Sequence, residues 1–164
     1  MKLNDQRVAV FVDVQNMFYS AKNKYNAKLD FEKLLDTVLL NRQLIRAIAY
    51  IVQTREIDQT GFINFLKNIG YEVKSKTLKL RPDGSAKGDW DMGLAIDAIS
   101  IAPKIDVIAL VSGDGDFTDL VNHLKAAGVR VEVHSFLTST AEELIRSATE
   151  YYQLDENLLM PFRK

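Results

Sequence analysis

The chain contains no cysteine. That excludes disulfides, a disulfide-linked partner and thiolate metal sites. It has two histidines, His123 and His134, and neither sits in a context that suggests a catalytic triad. No repeat, linker or low-complexity stretch interrupts the 164 residues, a length typical of one domain, so 1–164 is read as a single domain. The formal net charge is −1, so no strong basic field announces nucleic acid, and any such site must come from local patterning. No apolar run approaches the ~20 residues needed to cross a bilayer. The opening MKLNDQRVAV has mixed charges and a short apolar stretch, unlike a signal peptide. A cytoplasmic protein without membrane association is the expectation.

What is present is a 47% hydrophobic share, enough for a substantial core, in strand-like and helix-like stretches that alternate. VAVFVD (8–13), IRAIAYIV (45–52) and DVIALVS (106–112) read as buried strands. VRVEVHSF (129–136) alternates as a strand, YEVKSKTLKL (71–80) reads as extended, and YYQL (151–154) as a last strand. Helical spacing appears over 15–25, 31–39, 57–69, 90–102, 116–126 and 140–148. Asp30 is placed to cap the second helix, and a Thr or Ser the last; Gly70 and Gly128 act as stops. RPDGSAKGD (81–89) is the most loop-like segment, and the tail is uninformative. Repeated β-then-α order predicts an α/β fold, a mainly parallel sheet covered by helices on both faces. Ligands in such sheets bind beyond the carboxyl ends of the strands, where strand order reverses.

Acids stand at those places. Asp13 follows the first strand, with Asn16 one turn on. Asp89, Asp91 and Asp97 lie in KGDWDMGLAID, and Asp114 and Asp116 follow LVSG, after Ser112. Carboxylates that converge raise one another's pKa values. A hard divalent cation removes that repulsion and bridges to phosphate oxygens. Mg²⁺ is the expected ion, and Mn²⁺ fits the same oxygen ligands. Each acid also has a structural reading. Asp116 and Asp89 precede helices as caps, and Asp114-Gly115 can be a tight turn. Asp13 is poorly placed for solvation directly after a buried strand, so function and structure weigh equally there. Asp97 lies six residues past Asp91, at ~100° per residue on another face, which suits a supporting role. Asn16 can orient water or phosphate, or bond the local backbone.

Other chemistries fit worse. There is no Walker A motif and no GxGxxG. Asp114, Asp116 and Asp119 begin a calcium-loop spacing, but Lys125 occupies the position that requires Glu. Phosphoaspartyl transfer from Asp13 would need a second acid where Gln15 stands. One segment does suit a polyanion: Lys74, Lys76, Lys79, Arg81 and Lys87 run into the loop before Asp91. The same lysines also read as a solvated strand or hairpin. Tyr19, Tyr25 and Trp90 suit base stacking or the filling of a core margin.

FVDVQNMF, KGDWDMGLAIDA and LVSGDGDFTDLV, in that order, resemble the motifs of an NYN domain, of the LabA-like group in the PIN-like nuclease superfamily. The resemblance covers roughly Val8 to Tyr152. It implies a three-layer αβα sandwich, an acidic pocket with a divalent ion, usually Mg²⁺, and cleavage of RNA. By motif, the ligand and catalytic roles fall to Asp13, Asp91, Asp114 and Asp116. Asp89 is a competing assignment for Asp91, and Asn16, Ser112 and Asp97 stand as supporting or substrate-contacting groups. Related nucleases add an acid on an early helix, where Glu32 and Asp36 are available. The expectation is a Mg²⁺-dependent ribonuclease. Its rivals are a non-catalytic RNA- or protein-binding regulatory module, which the near-neutral charge suits, and a phosphatase of small nucleotides.

Overall fold

The computed structural model describes residues 3–83, 86–87 and 89–162. Chain order begins with β1 (Arg7–Asp13), α1 (Val14–Tyr25), β2 (Ala27–Leu29) and α2 (Phe31–Leu39). It continues through β3 (Gln43–Gln53), α3 (Thr60–Asn68), β4 (Glu72–Thr77), β5 (Lys79–Leu80) and β6 (Ala86–Lys87). Then come α4 (Asp91–Ile101), β7 (Val107–Val111), α5 (Thr118–Ala126) and β8 (Arg130–Ser135). The last elements are α6 (Glu142–Ser147), β9 (Glu150–Gln153) and β10 (Leu159–Pro161).

Six strands form one sheet in the order β4-β3-β1-β7-β8-β9, and every neighbouring pair is parallel. Parallel neighbours need crossover connections, and the helices supply them. Side chains of β1 alternate between two cores. Val8, Val10 and Val12 pack with Met17, Leu34 and Leu66 beneath α1, α2 and α3. Ala9 and Phe11 pack with Leu94, Ala98, Val121 and Leu144 beneath α4, α5 and α6. The expected α/β sandwich, with helices on both faces of a mainly parallel sheet, is what the chain adopts. Among the described residues, no helix is long and apolar enough to cross a membrane.

Several local expectations are corrected. The alternating segment 129–136 does form a strand, but both of its faces are covered, and Val131 to Ser135 are all buried. Glu132 lies on the α2 side and is held by Arg42, whose Nη1 and Nη2 each donate to its carboxylate at 2.8 Å. His134 Nε2 lies 3.3 Å from the same carboxylate, and its ring stacks on Tyr152 at 4.8 Å. Burial by itself would raise the Glu132 pKa, but the hydrogen bonds from Arg42 and His134 prevail and hold it at about 2. The most loop-like segment, 81–89, contributes β6, which pairs antiparallel with β5 at the end of the extended stretch 71–80, and the tail pairs with residues 27–29 as β10 against β2. The last helix has Ala141 at its N-cap with no side-chain cap. Thr140 instead donates its hydroxyl to the Phe136 carbonyl at 2.6 Å. Asp116 is not a helix cap either: Phe117 occupies that position for α5.

Candidate acidic site

Strand order reverses at β1, which has β3 on one side and β7 on the other. The carboxyl ends of β1 and β7 therefore open onto one crevice, the place where parallel sheets bind ligands. Asp13 is the last residue of β1 and the N-cap of α1. Its Oδ1 accepts from the Asn16 backbone N–H at 3.3 Å, and its Oδ2 accepts from the Ser112 hydroxyl at 3.1 Å. Ser112 is fully buried, and its Oγ also accepts from the Asp114 N–H at 3.1 Å. Asp114 caps a 3-10 turn, taking the Asp116 N–H on Oδ1 at 2.9 Å. Asn16 Oδ1 accepts from the Gly113 N–H at 3.0 Å, a second tie between the β1 and β7 ends.

Gly113 is required by close approach. A Cβ there would meet the Ser139 carbonyl oxygen, and the neighbouring Ala141 N–H donates to the Gly113 carbonyl at 3.0 Å. The third acid arrives from α4. Trp90 occupies the N-cap position without a side-chain cap bond, and the Asp89 carboxylate accepts from the Asp91 N–H at 3.1 Å. Asp89 thus supports the turn into α4 from one residue further out than a cap. Asp91, in the first turn, enters the crevice.

Asp13, Asp91 and Asp114 each offer a carboxylate oxygen, and these three atoms lie within 4.8 Å of one another. Burial raises the Asp91 pKa first, and the negative charges of Asp114, Asp89, Asp13 and Asp116 raise it further, to about 6. Burial also raises that of Asp13, against the hydrogen bonds from Asn16 and Ser112. Three hard oxygen donors that repel one another match what a small divalent cation takes. Octahedral ligands at about 2.1 Å stand about 3.0 Å apart when adjacent and about 4.2 Å when opposite, so a modest side-chain adjustment would close this set around Mg²⁺ or Mn²⁺.

Asp116 is exposed and lines the same cavity of about 550 Å³, as does Asp89, and neither is one of the three clustered acids. Asp97 faces elsewhere: its Oδ2 accepts from the Tyr50 hydroxyl and from Lys74 Nζ, both at 2.8 Å. It thereby holds Tyr50, which does line the cavity. Glu32 and Asp36 are exposed on α2 and are not cavity-lining residues. Of the basic segment, Lys74 is paired with Asp97. Lys76 Nζ lies 4.2 Å over the Trp90 ring and donates to the Asp89 carbonyl at 3.3 Å. Lys79 and Arg81 are exposed, and the Lys87 side chain lies outside the described residues. Trp90 is pinned by its Nε1 donating to the Ile51 carbonyl at 2.9 Å, and Tyr25 packs on Phe136 at 5.2 Å.

The sequence singles out Asn16 and Tyr19, but not the helical face that carries them as a wall of the cavity. That wall is the face of α1 with Gln15, Tyr19, Asn23 and Lys24. Its four-residue spacing is visible in the sequence, but polar residues at helical spacing read equally as a solvated face.

Comparison with known proteins agrees with this architecture. A profile of the NYN domain matches residues 7–155. Low amplitude and bright protein LabA of Synechococcus elongatus is 33% identical over 171 aligned positions, covering 99% of this chain and 90% of the relative. An uncharacterized protein of Methanocaldococcus jannaschii is 25% identical, covering 98% of this chain and 62% of the relative. The crystal structure of a protein of unknown function from Vibrio parahaemolyticus is similar with a TM-score of 0.89 at 34% identity, over 98% of this chain and 99% of that one.

Proposed function

The chain belongs to the NYN domain family, and from that membership and its acidic cluster we propose that it is a single-domain ribonuclease dependent on Mg²⁺, with Mn²⁺ as a substitute. The observation that carries the reading is the approach of Asp13, Asp91 and Asp114 within 4.8 Å at the reversal of strand order.

Asp13, Asp91 and Asp114 would hold the cation, and Asp116, exposed on the rim, would contact it or its water shell. When bound, the cation supplies an activated nucleophile and charge stabilisation for displacement at phosphorus. The protein's own part is positional. Ser112 and the Asn16 N–H fix the Asp13 carboxylate, and the Asp114 turn is fixed by its bond from Asp116. Asp89 orders the first turn of α4, from which Asp91 projects. The Lys76 ammonium over Trp90 puts a cation at the rim, and exposed Lys79 and Arg81 would add a weaker, salt-sensitive attraction for the RNA backbone.

The test is incubation of purified protein with single-stranded and structured RNA, with Mg²⁺, with Mn²⁺ and with EDTA. Cleavage is expected only with the cations and is lost in Asp13→Asn and Asp114→Asn. Activity that survives in both variants would come from a contaminant and refute the assignment.

A second reading, a non-catalytic RNA- or protein-binding regulatory module, is favoured by the net charge of −1 and by the engagement of Lys74 with Asp97. Salt-dependent RNA binding with no cleavage in any divalent cation would select it.

A further inference from the structure

α1 leads away from the acids and turns one face to the cavity. Gln15, Tyr19 and Asn23 recur there at four-residue spacing, and Asn16, Ser20 and Lys24 run beside them. At 3.6 residues per turn the two rows lie side by side. Because Asp13 caps this helix, the face begins at the acidic cluster. With 1.5 Å of rise per residue, Tyr19 stands roughly 9 Å and Lys24 roughly 16 Å along the axis from Asp13.

The face has the composition of a strand-binding surface. Tyr19 is 50% exposed although its ring carries ample apolar area. It meets Phe18, also exposed, edge-on at 5.7 Å, and Lys22 Nζ lies 5.9 Å from the Phe18 ring centroid. Phe18 and Lys22 are not cavity-lining residues, so the wall itself offers Tyr19, the amides of Gln15, Asn16 and Asn23, and Lys24: one exposed ring, amides and a cation, which suit an unpaired base and its backbone phosphate. A duplex cannot use the tyrosine this way, because its base faces are already stacked. The basic segment of β4 is a weaker candidate for the same task, since Lys74 and Lys76 are engaged by Asp97, Trp90 and Asp89.

We propose that this face of α1 is the track for a single-stranded polynucleotide, on which Tyr19 stacks an unpaired base and Lys24 receives a backbone phosphate. The inference deepens the ribonuclease reading and rests on it for the place of the scissile bond, but binding along α1 is measurable without cleavage.

The experiment measures anisotropy of a short fluorescein-labelled oligouridine with the full chain, in Mg²⁺ and in EDTA, over a series of salt concentrations. Tyr19→Ala is expected to weaken binding about tenfold or more, and Tyr19→Phe to restore it. Lys24→Ala is expected to lower the salt slope by about 0.7. Lys33→Ala, exposed on α2, is the unaffected control. Equal affinity of Tyr19→Ala and wild type, equal affinity for a hairpin duplex, or no binding by wild type in either condition overturns the proposal. Binding that depends on Tyr19 without any RNA cleavage keeps the track and refutes the ribonuclease. Cleavage whose KM ignores both Tyr19→Ala and Lys24→Ala does the reverse.

Discussion

The hydroxyl of Ser112 donates to Asp13 across 99 positions of sequence, and this 3.1 Å bond joins the ends of two adjacent parallel strands. The same oxygen accepts the Asp114 N–H. One buried hydroxyl therefore sets the attitude of two of the three clustered acids.

Ser112→Ala removes both bonds and leaves the Asp114 N–H without its acceptor. A group that orients a metal ligand typically contributes 10–100-fold to metal affinity. Mn²⁺ binding is expected to fall in that range, with a stability loss of about 1–3 kcal/mol for the orphaned N–H. The chain's one tryptophan, Trp90, lines the cavity, so quenching of its fluorescence by Mn²⁺ gives the affinity directly. Unchanged affinity would show that Asp13 does not need this partner.

Asp91 ties cation binding and stability to pH. Its pKa is raised from an ordinary 3.8 to about 6 by burial and by its acidic neighbours. In metal-free protein the folded state then holds a proton that the unfolded state has released between those two values, so stability from this group falls as pH rises through that window and stays low above it. Asp91→Asn removes the penalty. Its metal-free melting temperature at pH 7.5 is expected to exceed that of wild type, with the gap closing below pH 4. Each kcal/mol corresponds to about 2–4 °C in a chain of this size. Mn²⁺ affinity of wild type runs the other way, weakening as pH falls through about 6. Differential scanning fluorimetry in EDTA across pH checks the first, and tryptophan quenching the second.

The Arg42–Glu132 pair is buried on both sides, at 2% and 1% side-chain exposure. Arg42→Met alone leaves the buried Glu132 carboxylate only Arg130 Nε at 3.1 Å and His134 Nε2 at 3.3 Å, and is expected to destabilise by up to about 3 kcal/mol in urea titration. The double variant Arg42→Met, Glu132→Leu should recover part of that loss, since Arg130 keeps the Tyr152 hydroxyl at 3.4 Å while His134 loses its carboxylate. The Glu132 pKa is depressed from 4.5 to about 2, so the stability it contributes is complete above its ordinary value and is lost as pH falls toward 2. Acid unfolding of wild type should therefore steepen in that window, and the double variant should unfold less steeply there.

Gly113 and Gly61 make a matched test of close packing. A Cβ at Gly113 would strike the Ser139 backbone, which cannot swing aside as a side-chain tip can, whereas a Cβ at Gly61 meets nothing within 4 Å. Gly113→Ala is expected to destabilise by about 1–3 kcal/mol and to disturb the Asp13–Ser112–Asp114 bonds, with loss of Mn²⁺ quenching. Gly61→Ala, in α3, is expected to stabilise by about 0.5–1 kcal/mol. Urea unfolding and Mn²⁺ titration of both variants distinguish the effects.

Local periodicity made the strands and helices legible, because an apolar pattern of period two or 3.6 reports burial of the segment that carries it. It did not reveal which partner a buried polar group takes. Glu132 and His134 alternate with the valines of β8, and Arg42 from the turn before β3 makes their burial tolerable. Lys74 belongs to a segment whose charge suits a polyanion, but β4 lies beside β3, and that register sets it against Asp97 on α4. Tyr19 reads in the sequence as a base-stacking or core-margin residue and Lys24 carries no signal there; the cavity beside α1 gives the two a common direction.

By itself the sequence determined the alternation of strand and helix, the cysteine-free composition and the acids at strand ends, since these depend only on the order of residues along the chain. The tertiary structure alone decided that β1 and β7 are neighbours, that Asp91 reaches them from α4, and that Asp97 does not. The reason is that strand adjacency and helix docking are settled by burial against segments remote in sequence, and no local pattern encodes the distance between two carboxylates brought together that way.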